Sequence, residues 1–277
     1  MAIAQTPDVV LRVDLNPNYT STTGSKNRLR WFDPLGRPST IGVGLILEPG
    51  YYVLISERLQ KIPGDLDTEQ LDEAYIEDPS VWRVGRQYLP FGDKNLIREA
   101  ALGARYDAII PGLNVPIRMA LFDNGVQKLR GAMARVGDRV GISVASGQHL
   151  SAAGTSLGML RDPQSSPGPG RGYKLVVGAD ASRNFGRFRL VGEYVGLRRS
   201  NSPLDLSQDI TDIRAIFGSL DEQLMLVVGY SREWRDRVDF YRVESDLKVS
   251  KNLSLKSFVR FERGVWKDLS VGLRIRL

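Results

Sequence analysis

The chain has 277 residues, a formal net charge of +6, one histidine and no cysteine. This composition excludes disulfides, thiolate metal sites and cysteine nucleophiles, and it leaves too few imidazoles for a histidine metal centre. Basic residues are interleaved with acidic ones along the whole chain, unlike the focused basic patch of a nucleic-acid-binding protein. We therefore expect no metal, no cofactor and no nucleic-acid partner.

The first residues differ from the rest of the chain. Ala2-Ile3-Ala4 resembles the small-x-small end of an export signal, with Gln5 as the start of the mature protein. We expect residues 1–7 to be the remnant of that signal or a periplasmic N-terminus, and residues 8–277 to form a single transmembrane domain.

Apolar and polar side chains alternate in many segments. Successive strand residues point to opposite faces, so a strand between lipid and water shows this pattern. No run approaches the roughly 18 consecutive apolar residues of a membrane-spanning helix, and only the acidic stretch 65–73 predicts a short helix. The alternating segments, in chain order, are 41–47, 117–122, 140–145, 224–230, 241–249, 253–262 and 269–277.

Turn signals separate the alternating segments. Asp123-Asn124-Gly125 predicts a tight hairpin. Other short turns are predicted near 136–139, 183–187, 219–223 and 250–253. Longer connections are predicted near 16–38, 62–70, 92–100, 148–172 and 199–211. If 16–38 is one loop, the strands number about sixteen, and the last four long connections leave from the end opposite the C-terminus, as in outer-membrane barrels.

Aromatic residues cluster near the predicted strand ends, as in the interfacial girdles of membrane barrels. They are Trp31, Tyr51, Tyr52, Trp82, Tyr88, Phe91, Tyr173, Trp234, Phe240, Tyr241 and Trp266. The alternative, core aromatics of a soluble β-sandwich, requires far more strands than such a domain normally holds. We predict an all-β transmembrane antiparallel up-and-down β-barrel of about 16 strands, whose interior is too wide for side chains to fill.

One hairpin carries a resemblance to a known family. Residues 73–78, Glu-Ala-Tyr-Ile-Glu-Asp, and residues 85–92, Gly-Arg-Gln-Tyr-Leu-Pro-Phe-Gly, resemble a motif of the phosphate-selective porin family. The resemblance implies a homotrimer with a basic pore in the outer membrane of a diderm bacterium, in contact with outer-membrane lipid and passing small hydrophilic or anionic solutes. The chain departs from that family in its short length and in ending on Leu277, where an aromatic residue is usual. No equivalent of the family's basic ladder is found, so phosphate selectivity is not implied.

A channel of this kind has no catalytic site, and its selectivity depends on charges lining the constriction. The alternation predicts pore-facing basic residues Arg12, Arg105, Arg118, Arg214, Arg242, Lys248, Lys256, Arg260, Arg274 and Arg276. Acidic residues on the same face are Asp14, Asp107, Asp212, Glu244, Asp246 and Glu262. Two interpretations remain open: a transverse field with a mild anion preference, or ion pairs that only solvate the wall.

Three alternatives also remain open. Connection 148–172 is either a constriction loop or an outer loop. His149 and Ser151 have the spacing of the His-x-Ser pair of outer-membrane phospholipases, but Ala152-Ala153-Gly154 follows, without the expected orienting asparagine. A non-conducting structural barrel, serving as an anchor or subunit of a cell-envelope assembly, also fits the short loops.

Overall fold

The computed structural model describes residues 8–24, 27–33, 37–47, 50–60, 70–93, 96, 100–123, 130–147, 175–198, 207–218 and 222–277. These residues form β-strands and turns. They include no helix that is long and apolar enough to cross a membrane. The strands are β1 (Asp8–Leu15), β2 (Asn18–Thr22), β3 (Arg28–Arg30), β4 (Thr40–Leu47), β5 (Tyr51–Arg58), β6 (Leu71–Asp78), β7 (Trp82–Tyr88), β8 (Ala100–Ile110), β9 (Val115–Asp123), β10 (Arg130–Gly137), β11 (Val140–Gly147), β12 (Leu175–Phe185), β13 (Phe188–Arg198), β14 (Gln208–Phe217), β15 (Leu224–Glu233), β16 (Val238–Ser250), β17 (Leu253–Glu262) and β18 (Val265–Arg276).

The strands form one closed antiparallel wall. From β4 to β18 each strand pairs with the next one along the chain. Asp14 of β1 lies opposite Arg276 of β18 on one side and opposite Thr40 of β4 on the other. The ring is therefore complete, and closure removes the unpaired edges that lipid could not satisfy.

The eighteen segments make sixteen wall strands. β1 and β2 keep a single register against β18, with Leu15 opposite Ile275 and Asn18 opposite Gly272. On their other side β2 pairs with β3 and β1 pairs with β4. β1 and β2 together therefore form one interrupted wall strand, and β3 and β4 form the next. The eighteen segments thus make sixteen wall strands, which confirms the predicted strand number.

The prediction of a single loop at 16–38 is wrong. Residues 18–22 and 28–30 lie in the wall as β2 and β3. Their outward side chains, Tyr19 and Leu29, are 54 % and 66 % exposed. Polar residues flank each of these two apolar side chains, so the alternation is too short to indicate a strand.

The two faces of the wall have opposite chemistry. On β16, Val243 and Val249 of the outer face are 39 % and 62 % exposed, whereas Arg242 and Asp246 of the inner face are 3 % and 6 % exposed. A soluble protein would expose the charged face and bury the apolar one. An apolar exterior around a charged interior is the arrangement of a barrel that contacts lipid.

Exposed aromatic rings lie near both ends of the wall. Phe188 packs against Phe185 and Phe217, at centroid distances of 5.1 and 5.7 Å, at the end that holds Leu277. At the other end Tyr230 and Tyr241 are 5.1 Å apart. These rings fit interfacial girdles.

Four residues assigned to the girdles lie inside the barrel and do not belong to them. Tyr88 lines an interior cavity, where its hydroxyl donates to Asp72 Oδ1 at 2.6 Å. Phe91 and Phe240 are 0 % and 4 % exposed and lie inside the barrel. Tyr52 also faces inward, where Arg12 stacks over its ring at 5.1 Å. Tyr173 lies outside the described residues.

Three local predictions also differ from the structure. Residues 71–73 begin strand β6 and are not helical. The acidic side chains of Asp72 and Glu73 line a cavity inside the barrel. Residues 65–69 lie outside the described residues. Asp123 pairs with Arg130, so the connection between β9 and β10 has six residues and is longer than the predicted tight hairpin; these residues, 124–129, lie outside the described part of the chain. Connection 199–211 is shorter than predicted, since β14 begins at Gln208. The predictions for residues 1–7 lie outside the described residues.

Candidate functional site

A segment after β7 folds into the barrel. Leu89, Phe91 and Leu96 are at most 2 % exposed. The amide of Gly92 donates to Ser143 Oγ at 3.1 Å, and the amide of Leu96 donates to Glu193 Oε2 at 3.2 Å. Ser143 and Glu193 lie on β11 and β13, so the chain crosses the lumen from β7. We call residues 89–93 and 96 the inward loop.

A glycine on the wall makes room for the inward loop. A Cβ atom at Gly178 would lie 2.6 Å from Cε1 of Phe91, closer than van der Waals contact allows. The inward loop joins a buried apolar cluster on the inner face of the wall. Its other members are Ala101, Ala120, Phe122, Met133, Ala145, Val176, Val195, Leu197, Ile210, Val238, Phe240 and Phe258. Packing therefore fills part of the lumen along β8–β14, β16 and β17.

An ion pair fixes the inward loop to the far wall. Arg214 Nη2 lies 2.7 Å from Asp93 Oδ2. Arg214 also lies 2.8 Å from Asp212, which is fully buried and accepts hydrogen bonds from Arg242 (2.7 Å) and from Ser231 Oγ (2.5 Å). Two guanidinium groups thus compensate a carboxylate that water does not reach.

A polar cavity remains on the opposite side of the lumen. It measures about 480 Å³ and is lined from β1, β4, β6, β7 and β18 and by the inward loop, which contributes Leu89. We call this cavity the passage. Its charged lining residues are Asp14, Arg37, Asp72, Glu73, Arg83 and Arg274.

Arginine lies directly opposite arginine at three places on the inner wall. The pairs are Arg83 with Arg105, Arg118 with Arg135, and Arg242 with Arg260. Like charges in this position destabilise a sheet. Carboxylates compensate them in part: Glu77 lies 2.6 Å from Arg83, Asp107 lies 3.0 Å from Arg105, and Asp180 and Asp268 pair with Arg135 and Arg260. These six arginines are therefore closely spaced cations with acidic partners nearby.

Several residues predicted to line the pore lie together. Arg214, Arg242 and Asp212 share the network described above, and Glu244 lies 3.0 Å from Arg242. At the C-terminal end, Arg274 and Arg276 lie 2.7 and 3.4 Å from Asp14, and Arg274 is 4.0 Å from Asp246.

The other predicted residues are spread over the inner wall. Arg12 lies opposite Gly42, and Arg118 is exposed to water. Lys256 lies 3.2 Å from Asp33, and Lys248 lies opposite Ser254. Glu262 is 3.6 Å from Lys267. Arg105 and Arg260 belong to the arginine pairs described above, and Asp107 is the acidic partner of Arg105.

Sequence reasoning missed several charged residues of the interior. Arg83 and Arg135 follow the alternation of their strands, so strand parity could have identified them. Asp93 and Arg37 lie outside the strands, and no periodic signal marks them. The connection 148–172, with Pro163, Pro167 and Pro169, and the pair His149 and Ser151 lie outside the described residues.

No protein-family model and no curated protein matches the sequence. Solved structures do match. A loop-deletion mutant of OmpT, an outer membrane protein of Vibrio cholerae, is 10 % identical with a TM-score of 0.64, over 99 % of this chain and 100 % of the other. An anion-selective porin from Comamonas acidovorans is 12 % identical with a TM-score of 0.62, over 98 % and 100 %. OmpF of Salmonella typhi, in complex with daunomycin, is 10 % identical with a TM-score of 0.60, over 97 % of both chains.

The fold is that of an outer-membrane porin barrel. Together with the apolar outer face, this makes the chain a multi-pass β-strand protein of the outer membrane. At such low identity the likeness concerns the fold alone. The motif at residues 85–92 forms the end of β7 and the start of the inward loop, but none of the three proteins is described as phosphate-selective.

Proposed function

We propose that the protein is a porin through which small hydrophilic solutes diffuse passively, with a preference for anions, and that it has no catalytic activity. The observation that carries this proposal is the passage, a cavity of about 480 Å³ with a charged lining inside a closed barrel. Charged side chains around a narrow aqueous route select ions by their field.

Two observations support the anion preference. The inner wall holds three directly opposed arginine pairs, an arrangement that costs stability and strengthens the local positive potential. One solved structure of the same fold is named an anion-selective porin. We propose a homotrimer as well, because the matched OmpT of Vibrio cholerae is described in a trimer form.

Planar-bilayer recording tests the porin function. The purified protein should insert with stepwise current increases that scale with salt concentration. Across a KCl gradient the reversal potential should be shifted from zero toward the equilibrium potential of chloride. Absence of any current from protein that shows the heat-modifiable mobility of a folded barrel would overturn the proposal.

A structural barrel is the second candidate. The buried apolar cluster around Phe91 and Phe240 occupies part of the lumen, which favours a blocked interior. Such an anchor gives no current under the same conditions. The phospholipase alternative has its own test: lipase activity that Ser151→Ala abolishes would support it.

A further inference from the structure

The second wall strand is interrupted by an insertion. Nine residues, 31–39, separate Arg30 of β3 from Thr40 of β4, whereas three residues, 15–17, separate their partners on the first wall strand. The described residues of this insertion, 31–33 and 37–39, pair with each other in a small hairpin. Phe32 pairs with Pro38, the Asp33 amide donates to the Arg37 carbonyl at 3.0 Å, and the Ser39 amide donates to the Trp31 carbonyl at 2.7 Å. We call residues 31–33 and 37–39 the wall insertion.

The wall insertion points into the barrel. Asp33 is 3 % exposed, and its carboxylate lies 3.2 Å from Lys256 Nζ. Lys256 shares the inner face of β17 with Phe258, which is 5 % exposed. The Asn16 amide donates to Ser39 Oγ at 2.7 Å, and this bond fixes the base of the hairpin. A charged pair in this place lies on the water side of the wall and not in lipid.

Arg37 carries the charge of the wall insertion into the passage. Three arginines line this cavity, and their pairing differs. Arg83 lies 2.6 Å from Glu77, and Arg274 lies 2.7 Å from Asp14; the two side chains are 17 % and 11 % exposed. Arg37 is 3.8 Å from Asp33, and its side chain is 37 % exposed.

The partner of Arg37 is shared with a second cation. Asp33 also binds Lys256 at 3.2 Å, a shorter distance than to Arg37. The positive charge of the Arg37 guanidinium is therefore less neutralised, and more accessible to water, than the charges of Arg83 and Arg274. A guanidinium offers a planar fork of donors to carboxylate and phosphate oxygens.

We propose that Arg37 is a specificity-determining residue of the passage, which attracts small anions into the space between the wall insertion and the inward loop. The inference rests on the proposed porin function and assigns its selectivity to one side chain. The inward loop contributes Leu89 to the passage, and the wall insertion contributes Arg37 and Pro38. Two segments of different origin thus narrow the same route.

Reversal potentials of the full chain in a KCl gradient test the proposal, with chloride as the probe. Arg37→Glu changes the charge by two units and should lower the chloride-to-potassium permeability ratio about 25-fold, because one unit charge a few ångströms from an ion in water has about a fivefold effect. Arg37→Gln should lower it by a smaller factor. Arg187→Glu, the same charge change on an exposed turn, should leave the ratio within error of the wild type.

The outcomes separate this inference from the porin function. A wild-type protein that gives no current overturns both. A conducting wild type whose ratio is unchanged in Arg37→Glu and in Arg37→Gln overturns the role of Arg37 alone. If the Glu variant fails to fold, the Gln variant decides.

A deletion tests the wall insertion as a constriction. Removing residues 33–38 leaves residues 31, 32 and 39 opposite residues 15–17. The two wall strands can then pair without interruption. We expect a folded barrel with a larger single-channel conductance. A folded deletion variant whose conductance equals that of the wild type would overturn the proposed constriction.

Discussion

Asp93 and Arg214 lie 2.7 Å apart and join two distant parts of the chain. Asp93 belongs to the inward loop that follows β7, and Arg214 lies on the inner face of β14. Arg189 of β13 adds a weaker contact to Asp93 at 3.7 Å. The loop is thus held on its polar side by charge, while Phe91 packs on its apolar side.

Asp93→Asn should loosen the inward loop, because it removes the negative charge that both arginines face. Asp93 is 29 % exposed, so the loss of stability should be about 1 kcal/mol. We expect noisier open-channel current and a higher mean conductance in planar bilayers. Asp138→Asn, on the exposed turn between β10 and β11, is the matched control. Recordings of Asp93→Asn that superimpose on those of the wild type would contradict this role.

The outer face should tolerate charge according to depth. Val243 lies at the middle of β16 and Val249 near its end, and both face outward. Val243→Arg should cost about 2–4 kcal/mol of folding free energy, and Val249→Arg about 0–1 kcal/mol, because the cost of a charge falls toward the membrane interface. Urea unfolding in lipid vesicles measures both. Equal costs would argue against this placement of the strand in the bilayer.

Arg118 should contribute to the anion preference. It is exposed in the lumen and lies opposite Arg135. Arg118→Glu should move the reversal potential in a KCl gradient toward that of potassium, with the barrel intact. Arg242 and Arg260 are poorer choices for this test, because each is paired with an acidic partner on the wall, and a reversed charge there would place two carboxylates together. An unchanged reversal potential would remove Arg118 from the selectivity filter.

The sequence predicts the wall well, because every strand of a lipid-embedded barrel carries the same constraint. The face shared by Leu269, Val271 and Leu273 is the outer face, as alternation requires. The same rule could have corrected the girdle assignment of Phe240, which has the parity of Arg242 and lies inside with it.

The segments inside the barrel were not predictable from periodicity. The inward loop is placed by contacts to strands far away in the chain, such as Phe91 against Gly178. The wall insertion is set by a difference in register between neighbouring strands, which only the pairing shows. Neither Asp93 nor Arg37 carries a repeat or spacing that would mark it.

Neighbouring residues of a wall strand face water and lipid in turn, with the passage on the water side. Thr40 lines the passage, and Ile41 faces outward with 42 % exposure. The chain has no native cysteine, so Thr40→Cys and Ile41→Cys each introduce a single thiol. A charged, water-soluble thiol reagent added during bilayer recording should reduce the current through Thr40→Cys and leave Ile41→Cys unaffected. Current loss in Ile41→Cys with none in Thr40→Cys would contradict the account.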